Sequence, residues 1–444
     1  MTTQNAPYLQ GSIRQHIKRM TLAGGLGMLA LFAVDLADLF FISLLGEQEL
    51  AAAIGFASSI MFFTQSLSIG LSIAVGANVA KYMGAQNMKN AAQMVASGLV
   101  VVLFVTGLVT LVTWIYRIEL LAALGATGET LVLAAHYLGI ILPWFPFLAA
   151  GFATSGVMRA KGDAKAALWL TLSGAIVNAV LDPILIFGFD LGLTGAAIAS
   201  VISRLTIFAY AMYMVIYVYK MLPWPSIKGI KQDLSSLSKI AIPSVLTNLA
   251  TPVAIAYITM VIAQYGDAAV AANAIISRLQ MVAFVGLYAL SGVVGTMAAQ
   301  NWGAKDYTRV RLVLSESVLF VVIYCLISSA MLAALTYPII YVFQASDQAA
   351  QLIKVFTFGL SLAFIFNGIT FATNSLFNNL GAAKTSAVFN IAKATIFTIP
   401  FVWVGAKIAD APGLMIGQGI GAVIVALMGW YWCKRWINKL EQQG

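Results

Sequence analysis

The chain is short of charge. Only 9% of its 444 residues are Asp, Glu, Lys or Arg, where an ordinary soluble domain carries about 25%. Hydrophobic residues make up 61%, more than a soluble core of this size can bury, so a water-soluble globular protein is excluded. Histidine and cysteine are equally scarce, at two each. His16 sits in a polar N-terminal stretch and His136 stands alone, so there is no His–Glu metal motif. No nucleophile elbow or phosphate-binding loop appears, and the chain does not read as an enzyme. Cys325 and Cys433 lie in or at the end of apolar segments without metal-type partners. They read as reduced structural thiols and fix no redox compartment. No cleavage pattern follows the basic stretch Arg14–Arg19, because the next apolar run is long enough to span a bilayer.

What is present is a series of apolar runs close to the ~20 residues that a spanning helix needs. Twelve can be counted, from 21–45 to 412–433, and no long polar domain interrupts them. The expected fold class is an all-α polytopic membrane protein with twelve transmembrane helices in two pseudo-symmetric six-helix lobes. Despite the net charge of +9, nucleic acid is not the expected partner, because the bases recur in short loops rather than on one domain. Most fall in alternate loops and in both terminal segments, which places the termini in the cytoplasm by the positive-inside rule. The longest connection falls halfway. It divides residues 1–218, the first lobe, from 236–444, the second, with 219–235 as a cytoplasmic linker.

The halves repeat. GANVAKYMGAQN from Gly76 matches GTMAAQNWGAKD from Gly295 at Gly76, Ala80, Gly84 and Ala85. MRAKGDAK from Met158 matches FNNLGAAK from Phe377 at the same offset of 219. The simplest role for these residues is to make tight cytoplasmic turns. Their architectural meaning is a two-fold axis along the membrane normal, an arrangement found in alternating-access transporters.

Ionisable side chains inside a span cost on the order of 3 kcal/mol or more and are functional by default. Residues 30–45 read ALFAVDLADLFFISLL, with Asp35 and Asp38 three apart on one broad helical face. Burial penalises the charged form of a carboxyl group, and a second carboxylate nearby adds to the penalty. Such a pair suits proton uptake and release, or Na⁺ binding. The bland alternative is a static ion pair with Arg204 or another deep base. The third deep acid stands in NAVLDPILIFGFDLGLTGAAIAS, residues 178–200. Asn178 and Asp182 are four apart and stack on one face. Pro183 removes the hydrogen bond to the Ala179 carbonyl, so one turn presents an amide, a carboxylate and a freed carbonyl. The second half has no such acids. It offers Asn248, Asn273, Gln280, Asn367, Asn374 and Asn378 instead, and the deep bases are Arg204, Arg278 and Lys393.

The 6+6 repeat, the first-span aspartate and the Asn178…LDPILIFG…GAAIAS block resemble the MATE family, the multidrug and toxic compound extrusion transporters, and most of all their prokaryotic DinF-like branch. The resemblance implies two six-helix lobes around a central cavity in a bacterial inner membrane. It implies a multidrug efflux antiporter that exports amphipathic, often cationic, compounds in exchange for H⁺ or Na⁺. Asp35, Asn178 and Asp182 would form the cation-coupling site, with Asp38 as the alternative first-span acid and Ser200 as a neighbour. Asn273, Arg278, Gln280 and Asn374 are the candidate cavity residues. No cofactor beyond the coupling ion is expected, and the expected partners are small organic substrates and the lipid bilayer, with the protein a monomer. A lipid-linked oligosaccharide flippase of the same superfamily is the alternative. A major-facilitator carrier is disfavoured, because the loop after span two, KYMGAQNMKN, lacks that group's basic Asp-Arg signature.

Overall fold

The computed structural model describes residues 6–43 and 48–443, with the backbone alone described at 35–40, 42, 43, 48, 51, 250–253, 256 and 267. In a bilayer every backbone N–H and C=O must be satisfied within the protein, which leaves helices as the solution for apolar runs of this length. The α-helices are α1 (Ile13–Ser43), α2 (Gln48–Gly84), α3 (Met88–Ile115), α4 (Arg117–Ala123), α5 (Gly128–Ile141), α6 (Phe145–Ala160), α7 (Ala164–Pro183), α8 (Gly192–Tyr213) and α9 (Ile227–Ile262). Then follow α10 (Asp267–Ala283), α11 (Val285–Gly303), α12 (Tyr307–Ala334), α13 (Thr336–Val342), α14 (Asp347–Phe358), α15 (Phe364–Asn379), α16 (Ala383–Ala394) and α17 (Ile399–Gln443). Among the described residues there is no strand.

Among the described residues, nine helical stretches are long and apolar enough to cross a membrane, and a tenth is the pair α10 and α11, bent by 47°. The stretch Ala383–Gln443 is 61 residues long, too long for one span, and its backbone leaves the helical region at Ala409 and Asp410. Dividing it there and adding α9 gives the twelve expected crossings.

The repeat is written into the backbone. The short helices α4 and α13 begin and end 219 residues apart. So do the left-handed turn residues Gln86 (φ 58°) and Lys305 (φ 60°), and Gly162 (φ 66°) and Gly381 (φ 79°). The helix starts behind the first pair are capped alike. Asn87 Oδ1 accepts from the Asn90 N–H at 3.1 Å, and Asp306 Oδ1 accepts from the Arg309 N–H at 2.9 Å. A side-chain oxygen at this position satisfies a donor that the helix leaves open.

The repeated glycines at Gly76 and Gly295 do not make turns, contrary to the simplest expectation. Both lie inside helices, at the crossings of α2 with α6 and of α11 with α15. A Cβ on Gly76 would stand 3.2 Å from the Gly156 Cα, and one on Gly295 would stand 2.6 Å from the Ser375 Oγ. Small residues let helix backbones approach where lipid supplies no hydrophobic drive to association.

The chain forms two compact units, residues 1–6 with 26–245, and residues 7–25 with 246–444. This departs from the expected division at 219–235 in two places. The first is α9, which runs unbroken through that boundary. Its early part belongs to the first unit, where the Gln93 amide donates to Asp233 at 3.2 Å. Tyr219, at the start of the expected linker, is also tied down, donating its hydroxyl to Asp163 at 3.0 Å. Burial, followed by the Asp163 charge and this bond, raises the Tyr219 pKa above the ordinary tyrosine value.

The second departure is the N-terminal stretch, which reads as a polar tail but is latched into the second unit. Tyr8 is fully buried. Its N–H donates to Gln300 Oε1 at 3.1 Å, and its carbonyl accepts from Arg309 Nη2 at 2.7 Å. Arg309 Nε also donates to Asn301 Oδ1 at 3.0 Å, and Arg14 pairs with Glu316 at 2.7 Å. Hydrogen bonds to a charged group contribute about 1.5–3 kcal/mol each. Replacing Arg309 by Met is therefore expected to free this stretch. In limited proteolysis, cleavage within residues 7–12 should rise about tenfold while the remaining chain stays intact, and an unchanged cleavage rate would show that Arg309 does not hold the latch.

Candidate functional site

In the first unit the end of α7 carries a buried amide and a buried carboxylate. Asn178 is 6% exposed and Asp182 not at all. Their spacing of four stacks them on one face, as the sequence requires. The Asn178 Nδ2 is buried and meets no acceptor among the described residues. After Pro183 the helix does not simply bend. It widens into a π-turn over Ile184–Gly188, with the Phe189 N–H donating to the Ile184 carbonyl at 2.9 Å. Single π-turns inside α-helices occur frequently at functional sites. Pro183 has no N–H to offer, and the widened turn moves the following backbone donors out of α register.

α8 packs directly against this turn. A Cβ at Gly195 would stand 2.7 Å from the Leu185 carbonyl carbon and oxygen, both backbone atoms. Ser203 Oγ donates to the Gly174 carbonyl at 2.8 Å, fixing α8 against α7. Ser200 is half-buried on α8. Near the start of α8, His136 and Thr194 are joined through Nε2 and Oγ1 at 3.0 Å, a tie that the isolated reading of His136 missed.

Arg204 is buried and bonded to backbone and an aromatic ring. Its Nη1 donates to the Ile141 carbonyl at 3.0 Å and its guanidinium lies 5.8 Å from the Phe145 ring centre. Among the described residues no carboxylate lies within ion-pair distance of it; the ion pair of Asp35 or Asp38 with Arg204, the bland alternative for the first-span acids, falls outside the described residues. Asp35 and Asp38 lie on the α1 backbone, but their side chains fall outside the described residues.

The second unit collects amides and a lysine. Asn374 is 7% exposed and donates through Nδ2 to Asn390 Oδ1 at 3.1 Å. Lys393 Nζ donates to Asn367 Oδ1 at 2.7 Å. Asn273 and Gln280 are half-buried on α10, whereas Arg278 is exposed on the same helix. The structure therefore groups Asn374 with Asn367, Asn390 and Lys393, and leaves the three α10 residues on a separate helix. Asn390 is an addition. Its signal in the sequence was its place three residues before Lys393 on one helix.

This is an all-helical membrane protein with a twice-repeated frame and a different chemistry in each half. The MatE family model matches it twice, at residues 25–184 and 243–404, and the chain belongs to that family of transporters. A FAD transporter of Shewanella oneidensis is 27% identical over 433 residues, covering 96% of each chain. The multidrug export protein MepA of Staphylococcus aureus is 26% identical over 419 residues, covering 91% of this chain and 90% of MepA. A mutant of the Vibrio cholerae MATE transporter VcmN superposes with a TM-score of 0.91 at 27% identity, covering 97% and 98% of the two chains. The protein is a multi-pass membrane transporter rather than an enzyme.

The contact between Gly195 and the π-turn gives a paired prediction. Gly195→Ala forces a Cβ onto backbone and should lower stability by about 1–3 kcal/mol, the range for overpacking. Gly188→Ala adds a Cβ with no atom within 4 Å and should leave the melting temperature in detergent unchanged. Equal melting of the two variants would contradict the packing described.

Proposed function

We propose that the protein exports amphipathic organic compounds from the cytoplasm in exchange for H⁺, with the Asn178–Asp182 turn of α7 as the core of the coupling site. The observation that carries this reading is a fully buried carboxylate one turn from a buried amide, at a proline-interrupted and π-widened helix end. Uptake of a proton by an acid here changes which groups can donate and which accept. It therefore changes the hydrogen bonding of the turn and of whatever packs on it. Asp35 is the proposed second member, with Asp38 as the alternative. The same oxygen-rich turn would suit Na⁺, a hard cation.

In this cycle protonation from the outer side rearranges the contacts of the first helix with Asn178 and Asp182 and lowers the affinity for substrate. Release of the proton to the cytoplasm resets the site. The coupling works only if proton and substrate prefer different states, since a ligand shifts an equilibrium by its differential affinity alone. The setting proposed is a bacterial cytoplasmic membrane, with both termini inside and a single chain as the working unit. The export of drugs by MepA and the transport of FAD by the Shewanella protein support a small organic cargo.

The test is transport by the protein in liposomes under an imposed pH gradient, in Na⁺-free buffer, with a fluorescent amphipathic dye. Asp182→Asn and Asp35→Asn are each expected to reduce gradient-driven transport at least tenfold while the protein still inserts and elutes as a single species. Full activity in Asp182→Asn would remove the α7 turn from coupling. Activity that appears only with a Na⁺ gradient would replace H⁺ by Na⁺, and silence under both gradients would favour the flippase reading.

A further inference from the structure

The polar cluster of the second unit takes no part in the coupling site proposed above, and its chemistry is the opposite of the α7 turn. Asn367, Phe371, Asn374 and Asn378 recur at helical spacing along one face of α15. Asn390 and Lys393 recur along one face of α16. The two faces meet through the Asn374–Asn390 and Lys393–Asn367 hydrogen bonds. Lys393, Asn367, Asn390 and Phe371 are all half-buried, so the crease between the helices is partly open. Tyr288 of α11 completes it, its ring 5.3 Å from that of Phe371, and Lys393 Nζ lies 6.0 Å from the centre of the Phe371 ring.

The charge of Lys393 is not balanced. Among the described residues no carboxylate lies within 4.0 Å of Nζ. Its hydrogen-bond partner is a neutral amide, which leaves two ammonium donors and the Asn367 Nδ2 free to point at a ligand. The repeat shows that this lysine is not required by the frame. At an offset of 219 its counterpart in the first unit is Gly174, while Asn367 and Phe371 correspond to Leu148 and Phe152. Conversely, Asn178 and Asp182 correspond to Phe397 and Phe401. Each unit thus carries one polar site on a shared scaffold, acidic in the first and basic in the second. A cation in a membrane span is stabilised by a counter-charge, and a lysine ammonium binds phosphate as a compact point charge.

We propose that the Lys393 crease is a phosphate-binding subsite for the transported molecule, which carries a phosphate group beside an aromatic ring system. The ammonium and the Asn367 amide receive the phosphate, and the Tyr288–Phe371 pair receives the ring. The proposal rests on the reading of the protein as a carrier of small organic molecules, and it narrows that cargo to organic anions. It is independent of which ion drives transport.

The test is equilibrium binding to the full-length protein in neutral detergent with no gradient, so a failure of proton coupling leaves it unaffected. The probes are FAD and riboflavin, which share the flavin ring system; FAD adds a diphosphate and an adenosine, and the Lys393 variants isolate the part of the difference that the phosphates contribute. FAD is expected to bind at least ten times more tightly than riboflavin. Lys393→Gln should remove that difference, Lys393→Arg should keep it, and both variants should bind riboflavin as the native protein does. A parallel titration with phosphatidylglycerol and phosphatidylcholine micelles separates the two sources of phosphate. Lys393-dependent binding of phosphatidylglycerol in place of FAD would keep the phosphate site and assign it to a lipid headgroup. The proposal is overturned if neither FAD nor phosphatidylglycerol binding depends on Lys393. It is equally overturned if Lys393→Gln weakens riboflavin as much as FAD, because Lys393 would then serve packing alone.

Discussion

The cost of leaving a polar group unsatisfied in a bilayer governs this molecule at every level. It makes the apolar runs helical, because only a helix pairs its backbone groups within one segment. It also sets where the side chains with hydrogen-bonding capacity can go. Tyr8, Gln300, Asn301 and Arg309 satisfy one another at the N-terminal latch. Ser203 ties α8 to α7, and the asparagines of α15 and α16 tie to each other. Among the described residues, the buried side-chain atoms without a hydrogen-bond partner include Asn178 Nδ2 in the α7 turn and Asn374 Oδ1 and Asn378 Oδ1 on α15, with others on α1, α3, α9 and α12.

The repeat shows how frame and chemistry separate. Glycine crossings, left-handed turn residues, helix caps and even the seven-residue helices α4 and α13 recur at one spacing. These positions are constrained by backbone approach and turn geometry, which are the same in both halves. Side chains that face an internal crease are free of that constraint. Aspartate and asparagine in one half could therefore give way to phenylalanine in the other without disturbing the scaffold.

Much of the fold was legible in the sequence because lipid enforces a simple code. Apolar runs of sufficient length are spans, and the loops between them carry the bases. The stacking of Asn178 on Asp182 followed from a spacing of four, and the interruption after Asp182 from Pro183. What the sequence hid depended on neighbours far along the chain. The extent of the first unit could not be read, because α9 is continuous where a linker was expected and Tyr219 is bound to Asp163. The exposure of Arg278 on α10 was also hidden, because an apolar run does not say which face of a helix is covered. Asn390 was missed because its role appears only when α16 is laid on α15. The widening of the α7 end into a π-turn also lay beyond the sequence, since Pro183 specifies a missing donor and not how the neighbouring turn absorbs it.

The latch at Tyr8 has a consequence for the order in which the protein is made. Its acceptors and donors lie 292 to 301 residues further along the chain. Domains generally form from the N-terminus as synthesis proceeds, but here the earliest segment must wait until α11 and the start of α12 have emerged. Until then Tyr8 and the first turns of α1 have no protein partners of their own. A nascent chain ended after the first unit would leave this stretch without its seat. The latch is thus complete only when Tyr8 and Arg14 have met α11 and α12.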